Sequence, residues 1–149
     1  MDDIKTILLG LFTEVAILEH LVRTREDRVA ADDLSTGDFG VLNYFVVNHP
    51  DPDSIASIAW CFQEAEAYTH AKIEALAMRD LVTLTPDTAD SGLAMVAITD
   101  VGREAHAQIV ARVAPEIQMA VAEIPREALE TTFKTLREIR LTLDNLPDR

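Results

Sequence analysis

The chain has 149 residues, of which 48% are apolar and 26% are charged, a composition typical of one soluble globular domain and not of a disordered segment. Its formal net charge is −13, and this acidity repels nucleic acid at long range because binding to phosphates depends on Lys and Arg. No apolar run reaches the roughly 20 residues that span a bilayer, and the N-terminal residues do not resemble a signal peptide. Because the single cysteine, Cys61, also excludes an internal disulfide, we expect a cytoplasmic protein with no membrane partner.

The N-terminal segment is predicted to be an amphipathic helix. From residue 4 to about residue 22, apolar residues recur at steps of three and four, which is the spacing of one helical face. Phe12 and Leu21 widen this face beyond what a helix in a small domain needs, which indicates burial against a second subunit. The following residues, 23–33, break the period and are predicted to form a solvated connection.

Two further helices are predicted before residue 63. The first begins near Thr36 or Asp38, either of which can cap free backbone amides, and it ends before Pro50. Asp53 or Ser54 is predicted to cap the next, which is short and apolar.

A fourth helix is predicted from Glu64 to Arg79, with Thr69, Ile73 and Leu76 on its buried side. Glutamates in its first turn favour the helix through the free amides and the helix dipole, by about 0.3–1 kcal/mol each.

The rest of the chain is predicted to be a hairpin followed by two helices. Residues 82–84 and 95–98 are short β-rich runs on either side of turn-forming residues. Thr99 is predicted to cap a long helix that Pro115 bends, and an amphipathic helix closes the chain over residues 125–146.

Four segments carry a resemblance to a known family: "FGVLNYFVVNHP", "SIASIAWCF", "IEALAMRDLV" and "TPDTADSGLAMVAITDVGREA". Together they resemble the multiple-antibiotic-resistance regulator (MarR) family. The last segment is the most specific, and the residues in it that fit the family's wing and following helix are Pro86, Asp87, Asp90, Thr99, Gly102 and Arg103.

The resemblance implies a mainly α fold, a winged helix-turn-helix with a two-stranded β wing, flanked by N- and C-terminal dimerisation helices. It implies one domain over residues 1–149, with the winged helix-turn-helix at 35–99 and the dimerisation helices at 1–34 and 100–149.

By resemblance, the chain is predicted to be a homodimeric transcriptional regulator that binds DNA through its winged helix. The residues predicted to contact DNA are Gln63, Tyr68, Thr69, His70, Lys72, Ser91 and Gly92. The spacing of Thr69 with Ile73 and Leu76 suits the buried side of the helix equally well.

The charge of this region departs from the family pattern. Ser91 and Gly92 stand where basic wing residues are usual, and residues 54–98 contain six acids against only Lys72 and Arg79. This departure leaves a second hypothesis open. In it, the chain is an acidic MarR-like protein with weak or lost DNA binding, which acts through protein–protein contact or small-molecule binding.

The resemblance also implies a cleft for a small aromatic acid between the dimerisation helices and the winged helix. The residues predicted to line it are His20, Arg23, Phe39, Tyr44 and Trp60, with Arg23 meeting the carboxylate. For each residue the competing interpretation is ordinary core packing or, for Arg23, a surface position.

No other pattern in the sequence indicates catalysis or a cofactor. Glu66, His70 and Glu74 have a spacing that fits a metal ion, but a solvated helical face explains it equally, and we predict no metal. Cys61, next to Trp60, is interpreted as a small buried residue and not as a redox sensor. Because the sequence lacks a glycine-rich phosphate loop and a serine elbow, we predict neither enzymatic activity nor a cofactor.

Overall fold

The computed structural model describes residues 3–29, 34–86 and 94–146. Over these ranges the fold is mainly α-helical with one small antiparallel sheet, which confirms the predicted fold class. In chain order, the elements are α1 (Ile4–Val29), α2 (Thr36–Asn43), a π-helical turn (Tyr44–Asn48), β1 (Asp53–Ser54), α3 (Ile55–Phe62), α4 (Glu66–Met78), β2 (Val82–Thr85), β3 (Met95–Ile98), α5 (Asp100–Ala120) and α6 (Arg126–Asp144).

The first helix is longer than the sequence predicted. α1 continues to Val29, so the prediction of a connection beginning at residue 23 was wrong. Arg and Glu are good helix formers, and Arg23 pairs with Glu19 one turn earlier. The loss of apolar periodicity after Val22 therefore marks the end of the apolar stripe and not the end of the helix.

The start of α2 is fixed by a capping box. Asp38 N donates to Ser35 Oγ at 3.1 Å, and Ser35 N donates to Asp38 Oδ2 at 3.0 Å. The cap is thus Ser35, and not Thr36 or Asp38 as predicted, because the two side chains act reciprocally. The helix continues into the π-helical turn and ends before Pro50, as predicted.

The sheet has three strands in the order β1–β3–β2, all antiparallel. β2 and β3 are the predicted hairpin, with Val82 opposite Ile98, and β1 adds a short strand that the sequence did not predict. The connection between β2 and β3 lies outside the described residues. Thr99 caps α5 as predicted, since its Oγ1 accepts from the N–H of Gly102 at 2.9 Å.

Met1–Val113 and Ala114–Arg149 form two compact units. The first has a continuous apolar core, to which α2, α3, α4, the sheet and the start of α5 all contribute. The fully buried large side chains of this core are Val41, Leu42, Phe45, Ile58, Ile73, Leu76, Val82 and Val96.

In the second unit, α6 buries none of its residues. Its apolar side is exposed, with Phe133 at 58%. Among the described residues, no helix combines the length and the apolar character that crossing a membrane requires.

Candidate nucleic-acid interface and adjoining cavity

The corner between α3 and α4 fixes the direction of α4. Ser54 caps α3 by accepting from Ser57 N at 3.1 Å, as predicted, and α3 ends at Gln63, whose φ of 55° lies in the left-handed region. The side-chain amide of Gln63 donates to the carbonyl of Trp60 at 2.6 Å. Ala65, at the start of α4, offers no side-chain cap.

α4 is anchored along one side only. Thr69, Ile73 and Leu76 are buried, which confirms the predicted inner side. The opposite side is exposed along the whole helix, and its residues are Glu66, Ala67, His70, Ala71, Glu74, Ala75 and Met78. A helix held in this way presents a continuous surface to a partner.

Three of the residues predicted to contact DNA are on the surface. Gln63 and His70 are exposed, and Tyr68 is 63% exposed. His70 Nδ1 lies 3.5 Å from a carboxylate oxygen of Glu74, so it faces an acid one turn further along.

The other predicted contacts are not on the exposed side of α4. Thr69 is completely buried, and the side chain of Lys72 is only 8% exposed. Neither side chain therefore belongs to the surface that α4 presents to solvent. Ser91 and Gly92, predicted at the wing tip, lie outside the described residues.

Lys72 is directed inward because it is held by an ion pair. Its Nζ lies 2.9 and 2.8 Å from the two carboxylate oxygens of Glu64, and Thr69 Oγ1 donates to the same carboxylate at 3.0 Å. The rings of Phe62 and Tyr68 lie 5.2 and 5.4 Å from Nζ, within cation–π range. Glu64 and Lys72 thus neutralise each other.

This ion pair makes the exposed side of α4 more acidic than the sequence suggests. Glu66 and Glu74 are exposed there, whereas Lys72, the one lysine within α4, which has no arginine, is paired inward. Arg79, just after the helix, is the nearest exposed base in the sequence.

A cavity of about 580 Å³ opens between α1, α2 and the start of α4. Two of the five predicted ligand-binding residues, Arg23 and Phe39, line it. The sequence analysis missed Asn43, Phe62, Glu64 and Lys72, which also line it. The sequence signal for this space was Gly37 and Gly40, one turn apart on α2, because residues without side chains leave room beside a helix.

The other three predicted ligand-binding residues lie elsewhere. His20 lies among apolar residues of α1 itself. Tyr44 donates to Asp53 Oδ2 at 2.5 Å and stacks on His49, with ring centroids 5.6 Å apart. Trp60 is 47% exposed on α3.

Behind the wall of the cavity, His106 of α5 is 7% exposed. Its Nε2 lies 3.0 Å from Asn43 Oδ1, and its ring stacks on Phe39 with centroids 5.2 Å apart. Burial lowers the pKa of His106 below its ordinary value, because desolvation disfavours the charged ring. The neutral ring is therefore the form that supports Asn43 and Phe39.

The lowered pKa of His106 predicts an acid-sensitive fold. The unfolded chain, with an ordinary His pKa of about 6.5, binds this proton at a higher pH than the folded chain does. The contribution of His106 is thus complete above that pH and is lost as the pH falls through the lower, folded pKa. Urea titrations between pH 8 and 5 measure the free energy of unfolding. We expect it to fall less steeply with pH in His106→Gln than in the wild type. The control, His70→Gln at an exposed position, should follow the wild type.

The remaining candidates give no site. Among the described residues, no group of three or more His, Cys, Asp and Glu side chains is arranged to hold a metal ion. Cys61 is exposed, so its interpretation as a buried residue was wrong. α3 buries Ile55, Ile58 and Ala59, which places Cys61 beyond the edge of that face.

α3 and α4 meet at a tight turn and are followed by the β2–β3 hairpin, and together these elements form a winged helix. Comparison with solved structures identifies the type of winged helix. Solved proteins named as members of the MarR family match nearly the whole chain, so the chain has the MarR winged-helix fold, as predicted.

The chain is also similar to the transcriptional regulator BldR from Sulfolobus solfataricus, with a TM-score of 0.73 and 19% identity over 92% of this chain and 99% of that one. A MarR protein from Peptoclostridium difficile has a TM-score of 0.70 and 19% identity over 91% of this chain and 88% of that one. The organohalide-sensing regulator RdhR, in its 2,4-dichlorophenol-bound form, has a TM-score of 0.67 and 16% identity over 100% of this chain and 89% of that one. Neither the protein-family models nor the curated protein sequences give a match.

Proposed function

We propose that the protein is a cytoplasmic, homodimeric transcriptional regulator that binds DNA through its winged helix. The proposal rests on one observation, which is that α4 packs on the core along one side and is exposed along the other. Its inner side is fixed by Thr69, Ile73 and Leu76, and its outer side is free along the whole helix. A helix of this kind fits the major groove of B-DNA, which is wide enough to admit it. Gln63, Tyr68 and His70 would face the bases, and Ser91 and Gly92 would lie at the wing tip.

The dimer is proposed to form through the terminal regions, 1–34 and 100–149. Two helices in these regions expose apolar side chains that a monomer would leave in water: Ile4, Ile7 and Phe12 on α1 are 48–62% exposed, and Phe133 on α6 is 58% exposed. Large exposed apolar surfaces mark sites of association in soluble proteins.

The dimer is tested by placing a charge on the apolar side of α6. Phe133→Glu is expected to weaken self-association at least tenfold, because a carboxylate would have to be buried in the interface. Thr131→Glu introduces the same charge about 200° away around the helix and is expected to have little effect. Sedimentation equilibrium measures both. If Phe133→Glu remains as dimeric as Thr131→Glu, α6 is not part of the interface.

Ligand modulation is proposed as part of this function. The cavity that Arg23 and Phe39 line adjoins the start of α4, so a ligand there is close to the helix that would read DNA. The size, about 580 Å³, is in the range of pockets for small organic molecules. Among proteins of the same fold, RdhR has been solved with 2,4-dichlorophenol bound.

A second function is favoured by one observation, the inward pairing of Lys72 with Glu64. With Lys72 neutralised, the outer side of α4 has exposed acids and no exposed lysine or arginine to neutralise phosphates. The protein would then act through contact with a basic protein partner instead of with DNA.

Retention on pooled genomic DNA fragments, at low and at physiological salt, separates the two functions. A DNA-binding regulator should select particular fragments, with an affinity that falls as salt rises, by a log–log slope of about 0.9 for each phosphate contacted. A lack of retention even at low salt would overturn DNA binding and support the protein partner.

A further inference from the structure

Tyr68 is the aromatic side chain that the first turn of α4 presents to solvent. It is 63% exposed, and the Nζ atom of Lys72, one turn later, lies over its ring at 5.4 Å from the centroid. Residues four apart on a helix lie on the same side, and an ammonium group is attracted to the face of an aromatic ring. The ring of Tyr68 is therefore exposed on one side and supported by a cation on the other.

Lys72 is a rigid support because other groups confine its side chain. Glu64 holds Nζ with both carboxylate oxygens, at 2.9 and 2.8 Å, and the centroid of the Phe62 ring lies 5.2 Å from Nζ. α2 approaches from a further direction, since a Cβ at Gly37 would lie 3.7 Å from Cδ of Lys72. The side chain of Lys72 is only 8% exposed, so its fixed ammonium group limits the orientations open to the Tyr68 ring.

The major groove of DNA offers an aromatic ring one kind of apolar partner. Base pairs present hydrogen-bonding groups along this groove, and the apolar group among them is the C5-methyl group of thymine. Glu66, which is also exposed in the first turn of α4, disfavours an approach of this turn to the phosphates. A ring that enters the groove next to Glu66 is therefore favoured to contact bases, and its apolar surface fits a thymine methyl group.

We propose that Tyr68 is a specificity-determining residue for thymine, and that Lys72 is the positioning residue that holds the Tyr68 ring in the orientation that contacts the C5-methyl group. The inference rests on the proposed function, because it names the base that α4 recognises. Lys72 itself touches no DNA in this arrangement and acts through Tyr68. A ring that is fixed before binding loses less conformational freedom when the contact forms, so the support by Lys72 raises the affinity for thymine.

The first test replaces thymine by uracil, one position at a time, in a fragment that the protein retains. Uracil keeps the hydrogen-bonding groups of thymine and lacks only the C5-methyl group. We expect at least one position at which the wild type binds thymine about fourfold more tightly than uracil, which is the factor for burying one methyl group. Tyr68→Phe should keep this thymine-to-uracil affinity ratio, whereas Tyr68→Ala should abolish the discrimination.

Variants of Lys72 separate positioning from general stability. Lys72→Met should lower the affinity ratio, and Lys72→Arg, which keeps a cation between the two rings, should restore it. A merely structural role of Lys72 would weaken binding to both duplexes equally and leave the ratio unchanged. Lys5→Met, the same change at an exposed lysine of α1, is the control and should keep the wild-type ratio. If Lys72→Met fails to fold because Glu64 is left unpaired, Glu64→Gln/Lys72→Met removes both charges and should show the lowered ratio.

The second test needs no DNA and uses the fact that the chain has two tyrosines, Tyr44 and Tyr68. In protein with isotope-labelled tyrosine, three-bond NMR couplings report the χ1 rotamers of Tyr68, and Tyr44→Phe assigns the signals. We expect one dominant rotamer in the wild type and in Lys72→Arg. Lys72→Met and Glu64→Gln/Lys72→Met should both show averaging between rotamers.

The positioning role is overturned if Tyr68 has the same rotamers without Lys72 as in the wild type, or if the Lys72→Met variants keep the wild-type affinity ratio. The thymine assignment is overturned if no position distinguishes thymine from uracil, or if Tyr68→Ala still does so. A failure to retain any genomic fragment would contradict the proposed function and the thymine assignment together. The rotamers of Tyr68 would then still decide whether Lys72 positions the ring.

Discussion

Reversing the two exposed acids of α4, in Glu66→Lys/Glu74→Lys, is expected to raise affinity for duplex DNA at least tenfold at low salt. Both side chains lie on the exposed side of the helix, and the one lysine of α4 is paired inward with Glu64. The variant therefore replaces two phosphate-repelling groups with two phosphate-binding ones. Each new phosphate contact should steepen the log–log salt dependence by about 0.9. Fluorescence anisotropy with a labelled duplex measures both quantities.

The control variant makes the same change in net charge on another helix. Glu127→Lys/Glu138→Lys alters α6 by the same four charge units, at positions that are also exposed. If α4 is the DNA-contacting element, the α6 variant should gain much less affinity and show a smaller change in salt slope. Equal gains in the two variants would mean that overall charge, and not α4, controls binding.

Gly102→Ala is expected to destabilise the fold by about 3 kcal/mol or more, as an overpacked and unyielding site does. A Cβ at this position would lie 2.1 Å from the backbone carbonyl oxygen of Leu81 and 2.9 Å from Ile98. The carbonyl cannot rotate away, because Thr99 donates to it through both Oγ1 and N at 3.1 Å. The start of α5 would therefore have to move away from the sheet.

The matched control is Gly37→Ala, also a glycine in the first turn of a helix. Its Cβ would meet its nearest neighbours at 3.7 Å, an ordinary van der Waals distance. We expect a change of less than about 1 kcal/mol for this variant. Urea unfolding measures both proteins, and a Gly102→Ala protein as stable as Gly37→Ala would contradict the close packing of α5 on Leu81.

Candidate caps and Pro50 predicted α2 and α3, and the apolar period predicted α4. It identified Thr69, Ile73 and Leu76 on α4, and alternation identified β2 and β3. The method was wrong where that signal is absent: α1 runs on to Val29 after the apolar period ends, and β1 has only two residues. A pattern of burial can report only those parts of an element that are buried.

The cavity required the structure because its walls come from elements far apart in sequence. Phe39 and Arg23 were predicted and do line it, whereas Tyr44 was assigned to it and instead bonds to Asp53. Residues of one helix point in all directions, and the direction that faces a cavity depends on how helices pack. The sequence provided the aromatic and charged residues but not their meeting place.

The sequence by itself determined the mainly α winged-helix architecture and the acidity of the segment around α4, because periodicity, caps and residue charges are local properties. Only the tertiary structure decided where Lys72 points. On the helix it lies between the buried and the exposed side, and the deciding partners, Glu64 and Phe62, come from the corner before α4. An ion pair within a partly buried corner is stronger than one in water, so this long-range arrangement overrides the local choice of a solvated lysine.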